Sequence, residues 1–163
     1  MNPEKANREL RTESLLLRPF APADAAGMFE IYADPETMKY WSSTPVSNLA
    51  GAEKLVRKDI EYAATGKGMF WAVTLPDSRH AVGKCALFDH DETNRRAEIG
   101  YVLNRACWGK GIMLEAMTAV IDLGFGGLDL PVNLPLGGDT DGAARDRRGG
   151  RRLQRDRRHE TGV

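Results

Sequence analysis

The stretch Ala106-Cys107-Trp108-Gly109-Lys110-Gly111-Ile112-Met113-Leu114-Glu115-Ala116 constrains this chain most, because a strand pattern stops on one side of it and a helix pattern starts on the other. Upstream, residues 97–103 alternate, with Glu98, Gly100 and Val102 on one face and Ile99, Tyr101 and Leu103 on the other. Downstream, Met113, Met117, Val120 and Ile121 recur at helical spacing, with Glu115, Thr118 and Asp122 opposite. Glycines at 109 and 111 let the backbone turn without side-chain clash, so the amides of residues 108–112 can converge on one point. At a helix start those amides lack internal partners and the helix dipole adds positive charge, which suits an anion, phosphate above all. The motif is shorter than GxGxxG and lacks a GK[ST] ending, and taken alone it fits plain turn chemistry better than a binding loop.

Ser14 to Arg18 is a short apolar run closed by Pro19 and reads as a first strand. A helix opened by Pro22 carries Ala25, Ala26, Phe29 and Tyr32 on one face and stops near Asp34-Pro35. A short turn of helix holds Met38, Tyr40 and Trp41 before Pro45. Ser47 is the expected N-cap of a second helix running to about Thr65, buried through Leu49, Ala52, Leu55, Val56 and Ile60 and ended by Gly66 and Gly68. Residues 69–75 and 81–88 read as hairpin partners, and a turn around Asp91 to Asn94 leads to the strand holding Glu98. One strand, two helices, three strands and a helix give an α+β domain, a mixed and mostly antiparallel sheet with helices on both faces.

Glu98-Ile99-Gly100-Tyr101-Val102-Leu103, followed by Trp108-Gly109-Lys110-Gly111 and Glu115-Ala116, resembles the acyl-CoA-binding segment of the GNAT acetyltransferases. Thr12 to Pro19 and Asp34 to Trp41 also resemble, in the same order, the branch that acetylates the N-terminal amine of ribosomal proteins. The resemblance covers about residues 11–130 and implies a GNAT-like acyl-CoA N-acyltransferase fold, C-terminally incomplete. It implies acetyl-CoA as cosubstrate, held by Trp108, Gly109, Lys110, Gly111, Ile112 and Met113 at its diphosphate. Exposed main chain at Tyr101, Val102 and Leu103 would line the pantetheine arm, in the gap between two splayed strands. It implies a primary amine as acceptor, a protein N-terminal amine included, with Tyr40 and Trp41 lining its site. Glu98 matches a glutamate of related enzymes and becomes the candidate base for the amine, directly or through water. Its competing reading is an ion pair with Arg95 or Arg96. The hydroxyl that protonates the leaving thiolate in GNAT enzymes, often a Tyr or Ser further on, has no counterpart here.

Past Phe125 the family pattern stops. Val132, Leu134 and Leu136 alternate, but Pro131 and Pro135 cannot donate ladder hydrogen bonds, which disfavours a central strand. Two segments are therefore expected: an incomplete GNAT-like domain over 1–130, and a non-family, arginine-rich, disordered tail over 131–163. The last thirty or so residues resemble what a GC-rich gene yields when read out of register, so a frameshift product is one hypothesis for them, beside a plain solvated tail. From Asp141 onward eight arginines and one histidine face Asp141, Asp146, Asp156 and Glu160, yet the whole chain of 163 residues has a formal net charge of zero. That balance does not favour nucleic acid, so an RNA- or ribosome-associated protein is the third reading, behind the enzyme and a catalytically impaired acyl-CoA-binding remnant. Asp89, His90 and Asp91 are expected in an exposed turn. Cys85 and Cys107 give no metal-ligand spacing and are expected as reduced, unreactive thiols. No metal is expected, oligomeric state is open, and the lack of an apolar leader or a run long enough to span a membrane makes the cytoplasm the expected location.

Overall fold

The computed structural model describes residues 8–39, 41, 43–91, 93, 96–124 and 132–133. Among the described residues six strands form one sheet in chain order: β1 (Leu10–Arg11), β2 (Leu16–Pro19), β3 (Met69–Thr74), β4 (Ala81–Asp91), β5 (Arg96–Leu103) and β6 (Val132–Asn133). All neighbours are antiparallel except β5 and β6, which run parallel. Helices α1 (Ala25–Tyr32), α2 (Pro35–Met38) and α3 (Leu49–Ala64) cover one face, and α4 (Ile112–Asp122) the other. The expected mixed, mostly antiparallel sheet with helices on both faces is what forms.

Period-two alternation in the strands sorts the core into two layers. Leu17, Trp71, Val73, Cys85, Leu87, Ile99 and Leu103 pack against Met113, Ala116 and Val120 of α4. On the opposite face Ala72 and Val102 meet Met28, Ile31 and Tyr32 of α1 and Ala52 and Val56 of α3. Gly27 allows this approach: a Cβ there would sit 2.6 Å from the Ala81 carbonyl oxygen, so α1 lies directly on the start of β4.

Several expected boundaries move. The segment after Pro22 starts as a single 3-10 turn, Pro22–Asp24, before becoming α-helical. That tighter winding rotates the phase, so the buried face is Ala25, Met28, Ile31 and Tyr32, while Ala26 is exposed and Phe29 only half-buried. Asn48, not Ser47, caps α3, its side chain accepting the Gly51 amide at 3.0 Å. Leu49, expected inside, is 43% exposed. β4 continues through Asp89 and His90 as an irregular strand instead of ending in a turn, with Asp89 at φ 51°. Of the proline-flanked segment two residues are described, and Val132–Asn133 pair parallel to β5 as the last strand of the sheet among the described residues. Tyr40 and the remainder of the expected tail lie outside the described residues.

Candidate active site

Gly109 and Gly111 both adopt positive φ, 72° and 77°, and a Cβ on either would meet nothing within 4 Å. Backbone conformation, not crowding, calls for glycine at these two places, and the space above them is open. Gly111 is the N-cap of α4, with no capping side chain, and its carbonyl accepts the first helical bond from the Glu115 amide at 3.0 Å. Among the described residues the amides of Gly109, Lys110 and Gly111 have no acceptor, and those of Ile112, Met113 and Leu114 are the orphan donors of the helix start. The side chains of Ile112 and Met113 are buried, so these two residues offer only main chain. The expected free amides are therefore at the start of α4 among the described residues.

Struts fix this bend to the domain. The Trp108 indole donates to the Leu103 carbonyl at 2.9 Å, so its side chain braces the turn against β5. Asn104 accepts the Ala106 amide at 3.0 Å and donates to Glu30 of α1 at 3.1 Å. Arg105 pairs with Asp34 at 3.4 Å. The Lys110 ammonium folds back onto the Ala106 carbonyl at 2.9 Å, which keeps a cation beside the open amides. Glu115, one turn into α4, accepts the Ser14 amide and hydroxyl at 2.9 and 2.6 Å. The Ser14 hydroxyl, then Thr12 and the Ser14 amide, hold the Glu115 carboxyl below the usual carboxylate range.

The Asn104 amide bonds the Val82 carbonyl at 2.8 Å, which fixes the β4–β5 ladder: Lys84–Val102 and Ala86–Gly100 are hydrogen-bonded pairs. Ile99, Tyr101 and Leu103 consequently turn their main chain away from β4. On that side β6 pairs only with Ala97 and Glu98, so among the described residues no strand flanks the rest of β5. This corrects the expectation for Val102, whose main chain faces β4 and whose side chain is 0% exposed. Tyr101 and Leu103 turn toward the side of the strand away from β4, where the Leu103 carbonyl accepts the Trp108 indole.

Glu98 is exposed, shares its face with Gly100 and Val102, and stands opposite Phe88. Phe88 and Gly100 line a cavity of about 310 Å³ on the α1/α3 side, with Trp41, Lys58, Asp59, Tyr62, Phe70, Lys84, Ala86 and Asp89. Glu98 thus stands beside its rim, and Trp41 is in its wall. The arginines that could pair with Glu98 have no described side chains. Sequence reading missed Lys84 and Asp59, an ion pair of 2.8 Å in which both side chains are largely buried. Burial opposes the Lys84 charge, but the Tyr32 oxygen and Asp59 outweigh it and hold the ammonium above the ordinary lysine range. The Tyr32 hydroxyl lies near Lys84 but makes no hydrogen bond of good geometry among the described residues, so its effect on the ammonium is one of proximity. Nothing in a lone lysine within a strand announces such a pair, and only the fold brings α3 and β4 together. Burial pushes the Cys85 thiol up to about 12, so it is no nucleophile at neutral pH. Among the described residues no cluster of His, Cys, Asp and Glu could hold a metal, and no helix is long and apolar enough to cross a membrane.

The acetyltransferase (GNAT) domain model matches residues 14–136. An uncharacterized N-acetyltransferase p20 of Bacillus licheniformis is 34% identical over 121 residues, covering 74% of this chain and 68% of that protein. The crystal structure of a GNAT-family acetyltransferase from Bacillus anthracis superposes with a TM-score of 0.67 at 25% identity, over 78% of this chain and 72% of that one. The microcin C7 self-immunity acetyltransferase MccE, solved in complex with acetyl-CoA and AMP, shares the fold at a TM-score of 0.64 and 18% identity, over 76% and 69% of the two chains.

Proposed function

The chain belongs to the GNAT N-acetyltransferases, and from that premise we propose that it moves an acetyl group from acetyl-CoA to a primary amine, a protein N-terminal amine among the acceptors. The observation that carries this reading is the uncapped bend at Gly109–Gly111, with main-chain donors that have no acceptor among the described residues. Those donors, with Lys110 beside them, suit the diphosphate of CoA. MccE, of the same fold, was solved with acetyl-CoA bound. From the bend the pantetheine arm would follow the open side of β5, past Leu103 and Tyr101, toward Glu98. That span of five residues is about 17 Å in extended chain, comparable with an extended pantetheine. The thioester would then lie near the rim of the α1/α3-side cavity.

The acceptor amine adds to the thioester carbonyl, forming the carbon–nitrogen bond, and collapse of the tetrahedral intermediate breaks the carbon–sulfur bond and releases CoA thiolate. An amine is nucleophilic only when neutral, and Glu98 takes its proton directly or through one water. Trp41 lines the acceptor side. Holding both reactants together supplies part of the rate. No specific observation favours the impaired-remnant or RNA-binding readings. A cytoplasmic location, expected from the sequence, is proposed alongside the transferase reading.

Thiol release from acetyl-CoA with a panel of primary amines and short peptides tests the reading. Amine-dependent release is expected; CoA that binds without any amine-dependent release would contradict it.

A further inference from the structure

The α1/α3-side cavity is at the small end of ligand pockets and fits one side-chain-sized group. Its exposed lining is mostly apolar, from Trp41, Tyr62, Phe70 and Phe88. At its floor Lys84 rises from the middle of β4, 7% exposed. Its Nζ donates to Asp59 at 2.8 Å and lies 5.1 Å from the Trp41 ring centroid, 5.5 Å from Tyr32 and 5.8 Å from Phe70. Three aromatic rings and a carboxylate around an ammonium are how proteins bind cationic ligands. Here the ammonium is the protein's own. The other two charges in the lining, Lys58 and Asp89, are opposite in sign, so neither type prevails.

Resting on the acetyltransferase reading, we propose that this cavity seats the group carried by the acceptor beyond its amine, and that Lys84, by filling the cation position itself, selects an aromatic or apolar group there. A second ammonium on the acceptor would meet Lys84 at short range in an environment that screens poorly. The same group would also find Asp59 already paired. An aromatic group meets rings on several sides and displaces only weakly held water. Specificity then comes from a repulsive element as much as from contact. Replacing Lys84 with Met would empty the cage and leave Asp59 facing it, turning an apolar seat into a cation seat.

The test compares 2-phenylethylamine with 1,5-diaminopentane, by calorimetric titration into the CoA-loaded protein and by thiol release. Wild type should favour 2-phenylethylamine by about tenfold or more, the scale expected for one unfavourable charge contact. Lys84→Met should shift that ratio toward the diamine by about tenfold or more. The double variant Lys84→Met with Asp59→Leu, which replaces the buried pair by apolar groups, should return to the wild-type order. That recovery separates selectivity from a damaged fold. Equal binding of the two amines by wild type, binding of neither, or an unchanged ratio in Lys84→Met would each overturn the proposal. Titration with CoA alone distinguishes the failures: CoA bound with no amine preference sinks this inference and spares the transferase reading, whereas no CoA binding sinks both.

Discussion

Gly111 sits at φ 77° with open space where a Cβ would go, so substitution there is a conformational matter and not one of packing. Gly111→Ala should cost about 1 kcal/mol in denaturant unfolding, and should weaken CoA by about tenfold because the amides no longer point together. Unchanged affinity would mean that the bend does not hold the diphosphate. Glu98→Gln should lower turnover at neutral pH by about a hundredfold while CoA affinity stays within about twofold; steady-state rates beside a CoA titration decide this, and equal turnover removes Glu98 from the chemistry. Glu115 is different in kind, since its partners Ser14 and Thr12 lower its pKa in the folded state. A depressed folded pKa stabilises above the unfolded carboxylate range and is lost as pH falls through the folded value. Solvent screening of this half-exposed group limits the contribution to about 0.5 kcal/mol. Wild type should therefore exceed Glu115→Gln in stability at pH 7, and the gap should close as pH falls below the usual carboxylate range; a gap that persists in acid would contradict the linkage.

At the level of elements, what could be read in the sequence was local. The turn at 109–111, the helix after it and the hairpin of β3 and β4 each carry their signal in consecutive residues. The phase of α1 was not legible, because a 3-10 start at Pro22 offsets the helical count by a fraction of a turn. The cap of α3 slipped by one residue, since Ser47 and Asn48 are both competent and only the backbone geometry chooses between them. The pairs that aim the site, Asn104 with Glu30, Arg105 with Asp34 and Lys84 with Asp59, join residues far apart in the chain and carry no mark in composition or spacing. Arg18 makes a more local contact, gripping Asp24 through two bonds of 2.9 and 2.6 Å, with Asp24 buried and also accepting the Ala21 amide. It welds the end of β2 to the start of α1. Asp24→Ala removes the carboxylate from the Arg18 guanidinium, which keeps its bonds to the Pro19 and Arg79 carbonyls, and leaves the Ala21 amide without its acceptor; it should cost about 2 kcal/mol, read from the shift of the denaturant midpoint, and a loss below about 0.5 kcal/mol would mean the pair is an ordinary surface bridge.

For the molecule as a whole, the sheet divides two tasks between its faces and edge. On one face α4 anchors its core through Met113, Ala116 and Val120 and thereby presents its uncapped start beyond the end of β5. The other face, under α1 and α3, keeps a small aromatic cavity next to Glu98. In the proposed reaction the flank of β5 beyond Glu98 would connect the two, with the diphosphate held at the bend. Backbone amide chemical shifts followed during titration with CoA test that premise most directly. The account predicts saturable shifts centred on Gly109, Lys110, Gly111, Ile112 and Met113, extending to Leu103. Saturable shifts centred elsewhere, or none at millimolar CoA, would contradict it.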